Sequence, residues 1–237
     1  MAADAALAAV TFDVGQTLTS LDTRMLAARV ARMGGHVTVE ALDAAMSAAW
    51  RVYDEAVRLG AVANTWKAFM SALLEGAGER PGLIEGLVEH LWREQPARNL
   101  WRRPVAGMID LVDALRDAGV PVGIVSNSEG RVAELLEELG WLDRFAVVAD
   151  SGRLGFEKPD PRIFAYACEA LGVPAAQVVH IGDSRSADVE GALGVGMRAI
   201  WFRGATGEHI PTGARSCSTP SQVGEVLAEW GAPLSFP

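Results

Sequence analysis

The chain has 237 residues, of which 50% are hydrophobic, and its formal net charge is −9 with no basic run. This length suffices for one large domain or for a core with an insertion, and the negative charge excludes a nucleic acid as partner, because nucleic-acid-binding proteins carry clustered positive charge. No stretch approaches the roughly 18 apolar residues that span a bilayer, and the first residues lack the basic start of a secretory signal. We therefore expect a globular, cytoplasmic protein with no membrane partner.

The first predicted element is a strand over residues 8–12, an apolar run that ends at Asp13. Four stretches then show helical spacing: residues 23–33, 39–59, 65–74 and 84–92. Between residues 21 and 100 no convincing strand pattern occurs. The aromatic residues of this stretch either line a pocket or, as is more common at helical spacing, form a core: Trp50, Tyr53, Trp66 and Trp92. We predict that residues 19–100 form a helical domain inserted directly after the first strand.

From residue 104 onward, predicted helices and strands alternate. Helical spacing covers residues 105–118, 131–139, 161–171, 187–193 and 221–230. Strands are predicted over residues 120–125, 145–148, 177–181 and 197–202. Because these strands are continuous apolar runs rather than alternating ones, they indicate a parallel sheet with helices on both faces. The sequence therefore predicts an α/β fold with a Rossmann-like core made of residues 1–18 and 101–237.

Four polar residues follow predicted strands and could share one site. Asp13, Ser126 and Asp183 come directly after strands, and Lys158 follows one after a loop. In an open parallel sheet the carboxyl ends of the strands converge on one crevice, where ligands bind. Taken alone, each residue could be a turn residue, a helix cap or a solvated side chain. Lys158 is more telling, because Lys67 is the only other lysine among 21 lysines and arginines, and such rarity suggests a need for a compact point charge.

The segment around Asp183 is the most specific of the four. It combines a strand, a tight Gly182-Asp183 turn and a second carboxylate, Asp188, five residues later. Asp188 also suits the first turn of its helix through the helix dipole, and we interpret His180 on the strand as structural. Mg²⁺ prefers one or two carboxylates together with phosphate oxygens and water. Asp13 and Asp183 supply such a pair, so we expect Mg²⁺ as the cofactor.

In this order the four segments resemble the four motifs of the haloacid dehalogenase-like (HAD) hydrolase superfamily, and the helical insertion resembles its C1-type cap. The resemblance covers nearly the whole chain. It implies that Asp13 is a nucleophile that forms an aspartyl-phosphate, and that Ser126 and Asn127 bind the transferring phosphoryl group while Lys158 stabilises its charge.

The same resemblance implies a metal site and a substrate class. Asp183 would bind Mg²⁺ together with Asp13 and the backbone carbonyl of Gly15, and Asp188 would act on the metal indirectly, through water. The cap would exclude water and select the substrate, which we expect to be a small phosphorylated or acidic molecule.

Gly15 departs from the family pattern, since phosphatases of the superfamily carry a second aspartate there. That carboxylate protonates the leaving oxygen and later activates water, and such help contributes ~10²–10⁴-fold in rate, or roughly 3–5 kcal/mol of barrier. Gln16 cannot replace it, because an amide does not titrate. The sequence thus favours a phosphatase that is slow or restricted to good leaving groups, of which acyl phosphates are the clearest case.

Three further functions are compatible with the sequence. Haloacid dehalogenases also lack the second aspartate, because halide leaves without a proton, and they share Ser126-Asn127; however, they carry tyrosine in place of Gly15 and need no metal. Phosphonoacetaldehyde hydrolases have a small residue there and a cap lysine that forms a Schiff base, a role open here only to Lys67. The third is a catalytically silent HAD fold that binds a ligand or a protein.

Overall fold

The structure is a computed structural model that describes residues 6–60, 65–204 and 209–234. It divides into two compact units, one made of the chain up to Ser20 together with the chain from Trp101 onward, and the other of Leu21–Leu100. Among the described residues, no helix is both long and apolar enough to cross a membrane. The prediction about a secretory signal rests on residues 1–4, which lie outside the described ranges.

The first unit is built on a parallel sheet. Its strands and those of a second, smaller sheet are β1 (Ala9–Phe12), β2 (Thr19–Leu21), β3 (Trp101–Pro104), β4 (Val122–Ser126), β5 (Val147–Asp150), β6 (Val178–Gly182), β7 (Arg198–Phe202) and β8 (Ala214–Cys217). Six of them form the main sheet in the order β5-β4-β1-β6-β7-β8, and every neighbouring pair is parallel. The remaining two, β2 and β3, pair with each other.

Helices connect these strands and make up the insertion. Their bounds are α1 (Thr23–Arg32), α2 (Val39–Arg58), α3 (Thr65–Gly76), α4 (Pro81–Glu94), α5 (Met108–Asp117), α6 (Val132–Glu138), α7 (Ser151–Leu154), α8 (Pro161–Leu171), α9 (Gly191–Gly194) and α10 (Pro220–Glu229). Local sequence fixes several starts. Before α8, the Asp160 side chain accepts the Arg162 N–H and Pro161 occupies the first turn, where its missing N–H costs nothing.

Both faces of the main sheet are buried. Successive side chains of a strand point to opposite faces: Val10 and Phe12 of β1 lie in one apolar cluster, while Ala9 lies in the other. In β4, Ile124 and Val125 divide in the same way. Burial on both faces explains why these strands read as unbroken apolar runs. The predicted α/β fold, with a parallel sheet between two layers of helices, is confirmed.

The structure differs from the sequence-based prediction in short elements. Strands β2, β3 and β8 were not predicted. The helix predicted over residues 187–193 begins earlier, as a π-helical turn over Arg185–Glu190 that leads into α9. The helix predicted from residue 105 begins at Met108, because Gly107 before it has a left-handed φ of 81°, outside the helical region.

The insertion, Leu21–Leu100, consists of α1–α4. Its aromatic rings pack on one another: Trp50 lies 4.3 Å from Phe69 between ring centroids, and Trp66 lies 5.2 Å from Trp92. These contacts favour a packing role for the aromatic residues over a pocket lining. That the insertion acts as a cap stays a prediction.

Candidate active site

The carboxyl ends of three adjacent strands bring the predicted polar residues together. Strand β1 lies between β4 and β6, so Asp13 after β1 stands beside Ser126 at the end of β4 and Asp183 after β6. The Ser126 hydroxyl donates to Asp13 Oδ1 at 3.0 Å. Asp13 and Ser126 are buried and Asp183 is half-buried. The convergence expected from a parallel sheet is therefore observed.

Lys158 is the cation of this site, and its side chain is only 1% exposed. Its ammonium donates to Asp13 Oδ1 and to Asp188 Oδ1, both at 2.6 Å, and to the Val125 carbonyl at 2.8 Å. An ammonium has three N–H donors, so these bonds use all of them. Lys158 thus fixes the positions of two carboxylates at once.

The side-chain amide of Asn127 forms two hydrogen bonds with the main chain of Lys158. Its Nδ2 donates to the Lys158 carbonyl at 3.0 Å, and its Oδ1 accepts the Lys158 N–H at 2.7 Å. The amide side chain therefore sets the place from which the lysine reaches into the site. The expectation that Asn127 also binds phosphate stays a prediction.

Asp188 reaches the site through the π-helical turn. The N–H groups of both Asp188 and Val189 bond to the Ser184 carbonyl, and the wider turn is a feature that recurs at functional sites. The Ser184 N–H donates to Asp188 Oδ2 at 2.9 Å. Gly182 is required here, because an added Cβ would lie 2.2 Å from Asp188 Cγ. This close approach explains the glycine before Asp183.

His180 belongs to the same network, although its position on the strand gave no sign of it. Its Nε2 lies 3.0 Å from Asp188 Oδ1, and its Nδ1 lies 3.0 Å from Thr11 Oγ1. Burial lowers the pKa of His180, against the opposing effect of Asp188. The neutral ring then donates from Nε2 to the carboxylate and accepts at Nδ1 from the Thr11 hydroxyl.

The pKa values of the charged groups follow from burial and mutual contact. Burial alone would lower the pKa of Lys158, but Asp13 and Asp188 outweigh it and raise the pKa, so the lysine stays charged. Burial alone would raise the pKa of Asp188, but Lys158 and then His180 hold it below its usual range. Burial raises the pKa of Asp13, with Lys158 opposing the rise.

The acidic groups fit a divalent cation. Asp13, Asp183 and Asp188 each place a carboxylate oxygen within 4.8 Å of the others. Carboxylates grouped this closely repel one another when they are ionised, and buried charge is costly unless it is balanced, so a bound cation would stabilise the cluster. An all-oxygen donor set of this kind suits Mg²⁺. The residues present therefore fit the expected metal.

Comparison with known proteins agrees with this arrangement. A model of the haloacid dehalogenase-like hydrolases matches residues 7–196. The chain belongs to this family. The resemblance inferred from the four motifs is thereby confirmed, and the prediction of a hydrolase holds at the level of the family.

Curated relatives of this HAD-like hydrolase match over part of their length. It is 32% identical over 172 residues to the phosphoserine phosphatase of Thermus thermophilus, which covers 70% of this chain and 64% of that protein. It is 31% identical over 140 residues to the bovine haloacid dehalogenase-like hydrolase domain-containing protein 3, which covers 59% of this chain and 55% of that protein. The chain thus spans less than two thirds of either relative.

Solved structures match over nearly the whole chain and carry both kinds of activity in their names. A HAD phosphatase from Thermococcus onnurineus is 27% identical with a TM-score of 0.59, over 93% of this chain and 98% of its own. A 2-haloacid dehalogenase from Pseudomonas syringae is 26% identical with a TM-score of 0.57, over 94% of this chain and 99% of its own. Overall similarity therefore does not separate phosphatase from dehalogenase, and the site residues must.

The indole of Trp101 lies beside Gly15, the position where the resemblance leads one to expect a second aspartate. A Cβ added to Gly15 would lie 3.3 Å from Cδ1 and 3.5 Å from Nε1 of Trp101, and 3.7 Å from Asp13 Oδ2. Sequence reasoning missed Trp101, since it lies far from Gly15 along the chain and on a strand that was not predicted.

Proposed function

We propose that the chain is a Mg²⁺-dependent phosphatase of small phosphorylated molecules that works through an aspartyl-phosphate on Asp13 and is restricted to good leaving groups. The observation that carries the proposal is the cluster of Asp13, Asp183 and Asp188, in which Asp13 and Asp188 both pair with Lys158. A nucleophilic carboxylate needs a fixed orientation and a charge clamp, and phosphoryl transfer depends mostly on positioning and electrostatic stabilisation.

The first chemical step is attack by Asp13. Its Oδ1 is held by Ser126 and Lys158, which leaves Oδ2, on the Gly15 side, as the attacking oxygen. A bond forms from Oδ2 to phosphorus, and the bond to the leaving oxygen breaks with its electron pair. Lys158 holds Asp13 in place and its charge offsets the negative charge that builds up, while the Ser126 hydroxyl orients the carboxylate and meets the transferring group.

The second step restores the carboxylate. Water attacks phosphorus, the bond to Asp13 Oδ2 breaks, inorganic phosphate leaves, and the proton of the water passes to phosphate or solvent. Mg²⁺, held by Asp13, Asp183 and the backbone carbonyl of Gly15, with Asp188 acting through water, would supply positive charge to the phosphoryl oxygens.

Leaving-group basicity limits the substrate range. No carboxylate stands at Gly15 to give the leaving oxygen a proton, so an alkoxide would have to depart as a strong base. A carboxylate from an acyl phosphate departs without a proton. We therefore expect acyl phosphates to be hydrolysed much faster than alkyl phosphates.

Acetyl phosphate hydrolysis is the direct test. We expect phosphate release that requires Mg²⁺, stops with EDTA and returns when Mg²⁺ is restored in excess. Asp13→Asn should abolish it and Asp183→Asn should raise the Mg²⁺ concentration needed, whereas Asp143→Asn, at an exposed residue, should leave both unchanged. Undiminished activity in Asp13→Asn would refute the proposal.

Dehalogenation is the second candidate, favoured by the likeness to the Pseudomonas syringae dehalogenase and by the lack of an acid at Gly15. Chloride release from 2-chloropropionate in the presence of EDTA, with no phosphate release from acetyl phosphate, would establish it. Asp183 argues against this function, because a carboxylate added to the cluster serves a metal that halide release does not need.

Phosphonate cleavage and a silent binding fold have less support. Phosphonate cleavage through a Schiff base requires a reactive Lys67, whose Nζ instead donates to Glu89 at 2.6 Å on an exposed part of the insertion. Borohydride trapping at Lys67 with phosphonoacetaldehyde would revive it. A silent binding fold would show no turnover of any substrate tested and no effect of Asp13→Asn on ligand or protein binding.

A further inference from the structure

Gly15 does not need to be glycine for its backbone. Gly15 is not one of the glycines with a left-handed φ, of which Gly107 at 81° is an example. Its backbone conformation is therefore open to any residue. The next residue, Gln16, is the one with positive φ, at 56°. A side chain at position 15 is therefore opposed by its surroundings and not by backbone strain.

The surroundings that oppose it are the indole of Trp101. The two atoms nearest to an added Cβ, at 3.3 and 3.5 Å, both belong to the five-membered ring of this indole. A contact of 3.3 Å already forces a neighbour to shift for one methyl group, and a whole carboxylate needs more room in a closely packed region. The indole thus crowds the first carbon of any side chain at position 15.

Hydrogen bonds hold the strand that begins at Trp101 against the segment that follows Gly15. Strand β3, which begins at Trp101, pairs with β2 just after the turn that contains Gly15. The Val105 N–H donates to the Leu18 carbonyl at 2.9 Å, and the Ser20 hydroxyl donates to the Arg103 carbonyl at 3.3 Å. Trp101 itself is 9% exposed. Trp101 is therefore a largely buried residue of a paired strand, with its indole beside position 15.

We propose that Gly15 and Trp101 together determine specificity and restrict the site to acyl phosphates, an inference that rests on the proposed phosphatase function and deepens it. An indole has an N–H donor but no group that exchanges a proton near neutral pH. A leaving oxygen that departs on this side of Asp13 receives no proton from the indole, and the indole crowds the first carbon of any acid at position 15 that could give one. The pair of Gly15 and Trp101 thus selects substrates whose leaving group is a stable anion.

A set of four proteins tests the proposal: wild type, Gly15→Asp, Trp101→Val and the double variant. The measurement is kcat/KM for acetyl phosphate and for glycerol phosphate with Mg²⁺. We expect Gly15→Asp alone to gain no glycerol phosphate activity. The double variant should gain ~10²-fold or more over Trp101→Val alone, the low end of general acid catalysis, while acetyl phosphate changes less than tenfold.

Trp101→Phe is the matched control, because a phenyl ring still fills the space. Gly15→Asp combined with Trp101→Phe should show no gain. A gain in Gly15→Asp alone equal to that of the double variant would overturn the proposal, as would a folded double variant with no gain while wild type hydrolyses acetyl phosphate.

A stability measurement separates this inference from the proposed function. Gly15→Ala should lower the Tm in the wild-type background, because its methyl group meets Trp101, and should leave it unchanged or raise it in Trp101→Val, where the methyl has room. An equal Tm change in both backgrounds overturns the role of Trp101 whatever the activity. If the Tm cycle holds but acetyl phosphate is not hydrolysed, the phosphatase assignment fails, and with it the restriction to acyl phosphates, while the packing of Trp101 against position 15 stands.

Discussion

Replacing Lys158 by methionine removes the cation of the site while keeping an unbranched side chain of similar size. The ammonium donates at 2.6 Å to both Asp13 and Asp188 and at 2.8 Å to the Val125 carbonyl. Without it, Asp13 and Asp188 lose the ammonium that they share, while oxygens of the three carboxylates of Asp13, Asp183 and Asp188 lie within 4.8 Å of one another. Removing one partner of a buried ion pair costs about 3–5 kcal/mol, and we expect a loss of that size at pH 7.

Urea denaturation in EDTA, followed by tryptophan fluorescence, measures the free energy of unfolding of both proteins. Thermal denaturation in the same buffer measures their Tm. The Tm should fall by roughly 6–20 °C, since each 1 kcal/mol shifts the Tm of a chain of this size by about 2–4 °C. Lys67→Met is the matched control, at the only other lysine. Lys67 pairs with Glu89 at 2.6 Å but is 30% exposed, and exposed pairs contribute about 0–1 kcal/mol.

A second substitution identifies charge as the cause. Asp188→Asn alone should destabilise the protein, because Lys158 loses a charged partner. Added to Lys158→Met, the same change removes a negative charge next to Asp13 and should restore stability, so the two effects are strongly non-additive. The reasoning is refuted if Lys158→Met costs no more than the Lys67 control, or if Asp188→Asn destabilises both backgrounds equally.

Three further substitutions test separate parts of the site. Gly182→Ala places a methyl group against Asp188 and should cost about 1–3 kcal/mol through overpacking, whereas Gly194→Ala, whose added Cβ meets nothing within 4 Å, should not lower the Tm. Burial raises the pKa of Glu157 to about 7, so its contribution to stability is present below the unfolded pKa near 4.5 and is lost as the pH rises through about 7. Glu157→Gln should therefore be more stable than wild type at pH 8 but not at pH 4.5, and an equal Tm difference at both values would contradict this. His180→Leu should cost about 1–3 kcal/mol in urea denaturation, because it leaves buried hydrogen-bonding groups without their partner; a cost below about 0.5 kcal/mol would show that the ring contributes little.

The long elements of the fold could be predicted from the sequence, and the short ones could not. Strands β4 and β6 are apolar runs with clear turns at both ends, so pattern alone identifies them. Strand β3 reads Trp-Arg-Arg-Pro, with only its first residue buried, and forms through pairing with the three residues of β2. Such a ribbon leaves no apolar run and no alternation for a sequence pattern to report.

The site shows the same division. Asp13, Ser126 and Asp183 could be placed together because each follows a strand and the sheet gathers strand ends. The contact of His180 with Asp188 depends on the π-helical turn, and helical periodicity does not distinguish that turn from an ordinary one. The packing of Trp101 against Gly15 depends on an unpredicted strand. Both are consequences of tertiary structure that no local pattern encodes.

The buried hydrogen bonds that run from Thr11 through His180 and Asp188 to Lys158, and from there to Val125, join the three central strands of the sheet. Proteins open locally in cooperative units, and a segment opens by itself only where few buried contacts tie it to its neighbours. Here β1, β4 and β6 cannot separate without breaking bonds to charged groups inside the protein. We therefore expect these site residues to belong to the last unit to open, and loss of activity in denaturant to coincide with loss of the sheet instead of preceding it.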